Sequence, residues 1–251
     1  MTSVALAARP APSGRLWGVV RLQFVNRQTF VWIPLMVLGG SWVITFAIFA
    51  ILAGAEITTS GAPGDGSVTV IGGAQAPMWY FLAAGAQALA YTFPFSQAVT
   101  VTRREFFVGS LLAAALSAAG MALVFVALGL IEQATDGYGF GAVFAYNPWF
   151  WSAGAVAAWF AYLVTTLLAF IVGFWFATIY KQWGAGWLTA TIIAAALAIL
   201  GVVGFLTWRD LWAGMGAWIG QIGVVGLSFW GLVLGAVLAA GSFLTLRRMP
   251  A

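Results

Sequence analysis

Chemistry in a protein needs groups that move protons, attack carbon or hold metals, and this chain carries few of them. It has no histidine and no cysteine. Zinc sites built on those residues, His- or Cys-ligated haem, iron–sulfur clusters, Ser-His-Asp triads and cysteine nucleophiles are therefore excluded. The carboxylates left for general acid–base work are Glu56, Asp65, Glu132, Asp136 and Asp210, and they are scattered without a recognisable motif. Glu105 stands apart from them, directly after Arg103 and Arg104. No phosphate loop of the form G-x-x-x-x-G-K-[ST] occurs, so the chain has no nucleotide site of that kind. The expectation is a protein that is not an enzyme.

Uncharged polar residues within apolar runs are the next candidates. Gln87, Tyr91 and Pro94 fall at i, i+4 and i+7, so a helix there would carry two polar groups and a kink on one face. Thr45 and Thr189 lie in other apolar runs. One reading joins Thr45, Gln87, Tyr91 and Thr189 into a mildly polar substrate path. The other makes them interhelical hydrogen bonds, worth ~0.6 kcal/mol each. The sequence leaves both open.

The elements that must position these groups follow from where the charges fall. Only 6% of the 251 residues are charged and 63% are hydrophobic, with a mean hydropathy of +1.01. Soluble domains carry about 25% charged residues, so this chain cannot cover a water-facing surface. The charges bound six long uncharged stretches, at 28–55, 66–102, 106–131, 137–180, 182–208 and 211–246. Each can supply the ~20 apolar residues of a bilayer crossing. The expected fold is thus an all-α membrane protein, one transmembrane domain with six helices near 30–53, 78–101, 106–131, 149–180, 184–207 and 223–246. Small-residue faces, Gly231, Gly235 and Ala239 on the last helix and Ala115 and Ala119 on the third, suit close packing within the chain or at a dimer seam.

Orientation follows from the basic residues. With six crossings, Arg9, Arg15, Arg21, Arg27, Arg103, Arg104, Lys181, Arg247 and Arg248 share one side and only Arg209 lies on the other. The positive-inside rule then puts both termini in the cytoplasm. The net charge of +4 is a topology signature rather than a nucleic-acid footprint. Residues 1–13, with Pro10 and Pro12, read as a tail, and 14–29 either as an interfacial helix or as a positively charged flank that only sets topology. That helix would lay Leu16, Trp17, Val20 and Phe24 into the inner leaflet, with Arg15, Arg21 and Arg27 as anchors to lipid phosphates. The Gly- and Trp-rich stretch 208–222 is too short to span and suits a re-entrant or interfacial segment at the outer face.

The most distinctive motif runs Phe93-Pro-Phe-Ser-Gln-Ala-Val-Thr-Val-Thr-Arg-Arg-Glu-Phe-Phe-Val-Gly109. It resembles the turn between the second and third helices of ABC-2 type permeases, the membrane subunits of bacterial ABC exporters, whose actinobacterial-like members have a similar T-R-R-E-F-F-x-G turn. The likeness covers about fifteen residues as motif and most of the chain as architecture. It implies that 14–29 is the connecting helix and that Thr102, Arg103, Arg104, Glu105, Phe106 and Phe107 form the coupling segment. Arg103 and Arg104 would pair with acids of a separate ATPase subunit, and Phe106 and Phe107 would seat the turn. The resemblance further implies ATP and Mg bound in that partner, and a homodimer or a pair with a second permease; the uncharged, apolar interior suits a lipid, drug or peptide as cargo. Two rival classes remain: a secondary carrier working alone, and a non-transporting membrane scaffold or immunity protein.

Overall fold

A computed structural model describes residues 12–25, 27–54, 75–93, 101–141 and 143–247. Among these the regular structure is entirely helical. Seven α-helices follow in order: α1 Pro12–Val25, α2 Ile33–Gly54, α3 Ala76–Gln87, α4 Arg103–Ala134, α5 Ala155–Trp183, α6 Ala185–Trp208 and α7 Trp212–Arg247. Five helical segments are long and apolar enough to cross a membrane: Gln28–Leu52, Arg103–Ala134, Ala155–Trp183, Ala185–Trp208 and Trp212–Arg247. This is the character of a multi-pass membrane chain.

The second predicted crossing, 78–101, is not among those five. Its described part is α3 followed by a wide π-helical turn, Ala88–Thr92, and 94–100 lie outside the described residues. A similar π-helical turn, Gln28–Trp32, leads into α2, with the Ile33 N–H returning five residues to Gln28. Both wide turns come just ahead of a proline, Pro34 or Pro94. A proline has no N–H for the carbonyl four residues back, and widening the helix is one way to re-pair the freed carbonyls. Ala90, four residues before Pro94, instead receives the Lys181 ammonium on its carbonyl at 3.3 Å.

Other boundaries move for identifiable reasons. The N-terminal helix runs Pro12–Val25 rather than 14–29, and Thr29 belongs to the wide turn before α2. The helix expected from 106 begins at Arg103, because Thr102 caps it. The helix expected over 149–180 is broken. A short 3-10 turn, Phe150–Ala153, ends at Gly154 (φ +89°), and α5 then runs on to Trp183. The stretch 212–222 is helical and joins 224–247 across Gly223, whose φ of +67° breaks the helix.

The long helix α5 is the hub, with α3, α4 and α7 packed round it. Phe81, Phe106, Phe125, Phe170 and Phe174 fill the core between them. Close approach of α3 and α5 depends on two glycines. A Cβ on Gly85 would strike the Phe170 carbonyl, and one on Gly173 would strike the Leu82 carbonyl. The small face of α7 also packs inside the chain. A Cβ on Gly231 would stand 2.9 Å from the Val164 side chain, and one on Gly235 3.3 Å from Leu168. In contrast, α6 buries no residue at all and leans on α5 beyond a turn at Gly184 (φ +85°).

Candidate functional site

The Arg103–Phe107 segment is the first turn of α4 and not a loop. Thr102 takes an extended conformation (φ −70°, ψ 151°), and its hydroxyl accepts the Glu105 N–H at 3.2 Å. The Glu105 carboxylate accepts the Thr102 N–H at 3.0 Å and its hydroxyl at 2.8 Å. This reciprocal capping box satisfies backbone donors that a helix start leaves without partners. It also places an acid where the helix dipole favours one.

The capped turn is held to the bundle on two sides. Phe106 is fully buried against the Phe93 ring, centroids 5.2 Å apart. Phe107 packs between Phe174 (5.7 Å) and Phe243 (5.3 Å). Both phenylalanines therefore seat the turn in its own bundle. Arg103 donates from Nη1 to the Arg247 carbonyl at 3.1 Å and the Leu246 carbonyl at 3.4 Å, at the end of α7. Those carbonyls form the negative end of a helix, so a guanidinium there is favourable. Arg104 alone of the pair is exposed. A cavity of about 730 Å³ opens beside it, lined by Arg103, Arg104, Phe243 and Arg247. The Arg247 guanidinium lies over the Phe243 ring at 5.9 Å.

The N-terminal helix reaches the same region. Gln23, buried, donates to the Ser110 hydroxyl of α4 at 2.7 Å. Val19 and Val20 are buried with it, whereas Trp17 is half exposed. The face turned to protein is thus Val19, Val20 and Gln23, so Val20, expected in the inner leaflet, is buried in the bundle instead. Arg21 and Arg27 are exposed, and the Arg15 side chain lies outside the described residues.

The four residues of the expected polar path differ in their surroundings. Thr45 is buried, Gln87 half-buried and Tyr91 75% exposed. The Thr189 hydroxyl turns back to Ala185 of its own helix at 3.0 Å. Among the described residues no hydrogen bond joins any two of them. A different cavity, about 560 Å³, lies between α5 and α7, walled in part by Phe150, Leu168, Trp218 and Trp230. Its hydroxyls, Thr165 and Ser228, donate to carbonyls of their own helices. The space they leave is apolar.

One ionisable residue gains a role that spacing did not reveal. Glu132, 3% exposed, lies far along α4 from Arg103. Its carboxylate accepts the N–H groups of Phe144 (3.3 Å), Ala145 (3.0 Å) and Tyr146 (2.7 Å). The Tyr138 hydroxyl donates to it at 3.4 Å and accepts the Trp42 indole N–H at 3.2 Å. Asp136, Gly137, Tyr138 and Gly139 all take positive φ, which folds the chain back over the carboxylate. Burial raises the Tyr138 phenol above its ordinary pKa of 10.0; Glu132 adds to the rise and the Trp42 bond opposes it. With its oxygens taken up by backbone donors, Glu132 staples the 144–146 segment. The glycines at 137, 139 and 141 after it were the sequence signal of such a turn.

Comparison of the chain with protein-family models, with curated proteins and with solved structures finds no match.

Proposed function

We propose that this chain is the permease subunit of an ATP-driven exporter of the ABC-2 type, in a bacterial cell membrane. The observation that carries the reading is the build of the α4 start. It is a capped helix turn, fixed by Phe106 and Phe107, that leaves Arg104 facing outward. A rigid, outward-facing cation suits transmission of force from a partner that binds and hydrolyses ATP with Mg. Arg104 is the contact to that ATPase, and Arg103 ties the same turn to the end of α7. A push on the turn then moves α4 and α7 together.

The remaining parts of the reading fit this arrangement. Ala76–Thr92 belongs to the remaining crossing, and both termini face the cytoplasm. Six crossings make half a transporter of this type, so a second copy completes it, and the unburied surface of α6 is available to that copy or to lipid. The cargo is hydrophobic or amphipathic, in keeping with the apolar cavity between α5 and α7.

The test is co-purification with an ATPase subunit encoded beside this chain. Arg104→Glu should abolish the association and any stimulated ATP hydrolysis while the variant still elutes as the wild type does. Reconstituted protein that moves a hydrophobic cargo without an ATPase, or an Arg104→Glu variant that binds the ATPase unchanged, overturns the assignment.

A further inference from the structure

We propose that the arginine-lined cavity where α4 begins and α7 ends binds the phosphate of an anionic phospholipid, whose acyl chains lie along the exposed aliphatic stripe of α4. The inference needs neither an ATPase nor transport, and a lipid held at Arg104 competes with an ATPase for that side chain.

Charge is the first argument. Arg104 and Arg247 line one cavity of about 730 Å³ beside Arg103, whose guanidinium is already engaged at the end of α7, and no acid is among the described residues lining it. Like charges gathered round one space repel, and an anion between them reverses that sign. Arginine forks match phosphate oxygens in geometry as well as in charge.

The apolar surface beside the cavity is the second argument, and it favours a lipid over a free phosphate. Arg104, Val108, Leu112 and Leu116 follow at four-residue spacing on one face of α4. The three aliphatic side chains are 41%, 40% and 44% exposed. On α7, Arg247 lies over Phe243, and the neighbouring Leu244 is exposed. Both helices are long and apolar enough to cross a membrane, so arginines at their ends fall at headgroup level, with the stripe at acyl-chain level. Basic pockets between spanning helices are suited to anionic headgroups for this reason.

The experiment is native mass spectrometry of the detergent-purified chain, titrated with phosphatidylglycerol or with phosphatidylcholine of the same acyl length. Phosphatidylglycerol should bind at least about tenfold more tightly. Arg104→Gln and Arg247→Gln should each weaken it about fivefold and leave phosphatidylcholine unchanged. Arg209→Gln, between the end of α6 and the start of α7, should change neither lipid. Equal binding of the two lipids by the wild type overturns the proposal without recourse to any variant. Unchanged phosphatidylglycerol binding by the Arg104→Gln/Arg247→Gln double variant overturns it too. Displacement of the lipid by millimolar inorganic phosphate would mark a free-phosphate site instead.

Discussion

Gly85 of α3 rests on the backbone of α5 beside Phe170, and Gly173 of α5 rests in turn on the Leu82 carbonyl of α3. The two glycines let the helices touch backbone to backbone at the centre of the bundle. Any Cβ at either position must push the helices apart, and neither obstacle is a side chain that can swing away. Gly85→Ala and Gly173→Ala should each destabilise the fold by about 1–3 kcal/mol, the usual cost of overpacking. Thermal unfolding in detergent measures this, and a melting temperature equal to the wild type's would refute the crossing. Gly120→Ala on α4, where nothing lies within 4 Å, is the matched control and should be neutral or slightly stabilising.

The capping box at the head of α4 makes a prediction separable from any partner. Thr102→Ala removes the hydroxyl that accepts the Glu105 N–H and should lower stability by about 1 kcal/mol. Thr102→Ser keeps the oxygen and should restore most of the loss. Hydrogen exchange at Glu105 and Phe106 is the direct readout. If Thr102→Ala leaves those amides as protected as before, the cap does not hold the turn.

The apolar helices were legible because length and missing charge speak directly to bilayer crossing. The limits of 184–207 differ from those of α6 by one residue at each end. The start of α4 was misplaced because Arg103, Arg104 and Glu105 read as a charged loop. The T-x-x-E pattern that caps a helix was present at Thr102–Glu105 and outweighs the charge signal. Breaks at Gly154 and Gly223 were hidden among many glycines, most of which sit in ordinary helix. The burial of Gln23 against Ser110, and of Glu132 under the 144–146 segment, depends on contacts between distant parts of the chain. No local pattern encodes these. The polar path through Thr45, Gln87, Tyr91 and Thr189 rested on residue type and on the spacing of Gln87 and Tyr91, and no hydrogen bond among the described residues joins any two of them.

Glu132 should be the ionisable residue to which the fold is most sensitive. Glu132→Ala would strand the N–H groups of Phe144, Ala145 and Tyr146 without their acceptor. A buried charge-assisted network lost in this way costs about 3 kcal/mol. Glu132→Gln keeps one carbonyl acceptor and should cost less. Limited proteolysis should find new cleavage near 144–150 in the alanine variant. An alanine variant that melts and resists protease like the wild type would show that the staple contributes nothing.

Tyr138 gives the same region a dependence on pH whose sign can be worked out. Its phenol is raised above 10.0 in the fold, first by burial and then by the charge of Glu132, so the folded state holds its proton more tightly than the unfolded chain does. The stabilisation is therefore complete below the unfolded value of 10.0 and is lost as pH rises from there through the raised folded value. Above that range a phenolate would sit against the Glu132 carboxylate, where the neutral hydroxyl had donated a hydrogen bond. Tyr138→Phe removes the titrating group and keeps the ring that packs edge-on to Trp42. The melting temperature of the wild type should fall more steeply above pH 10 than that of Tyr138→Phe, with parallel curves at lower pH. Curves that stay parallel across the alkaline range would mean that Tyr138 does not couple to the fold through its proton. Curves that diverge already at neutral pH would place the coupling in another group.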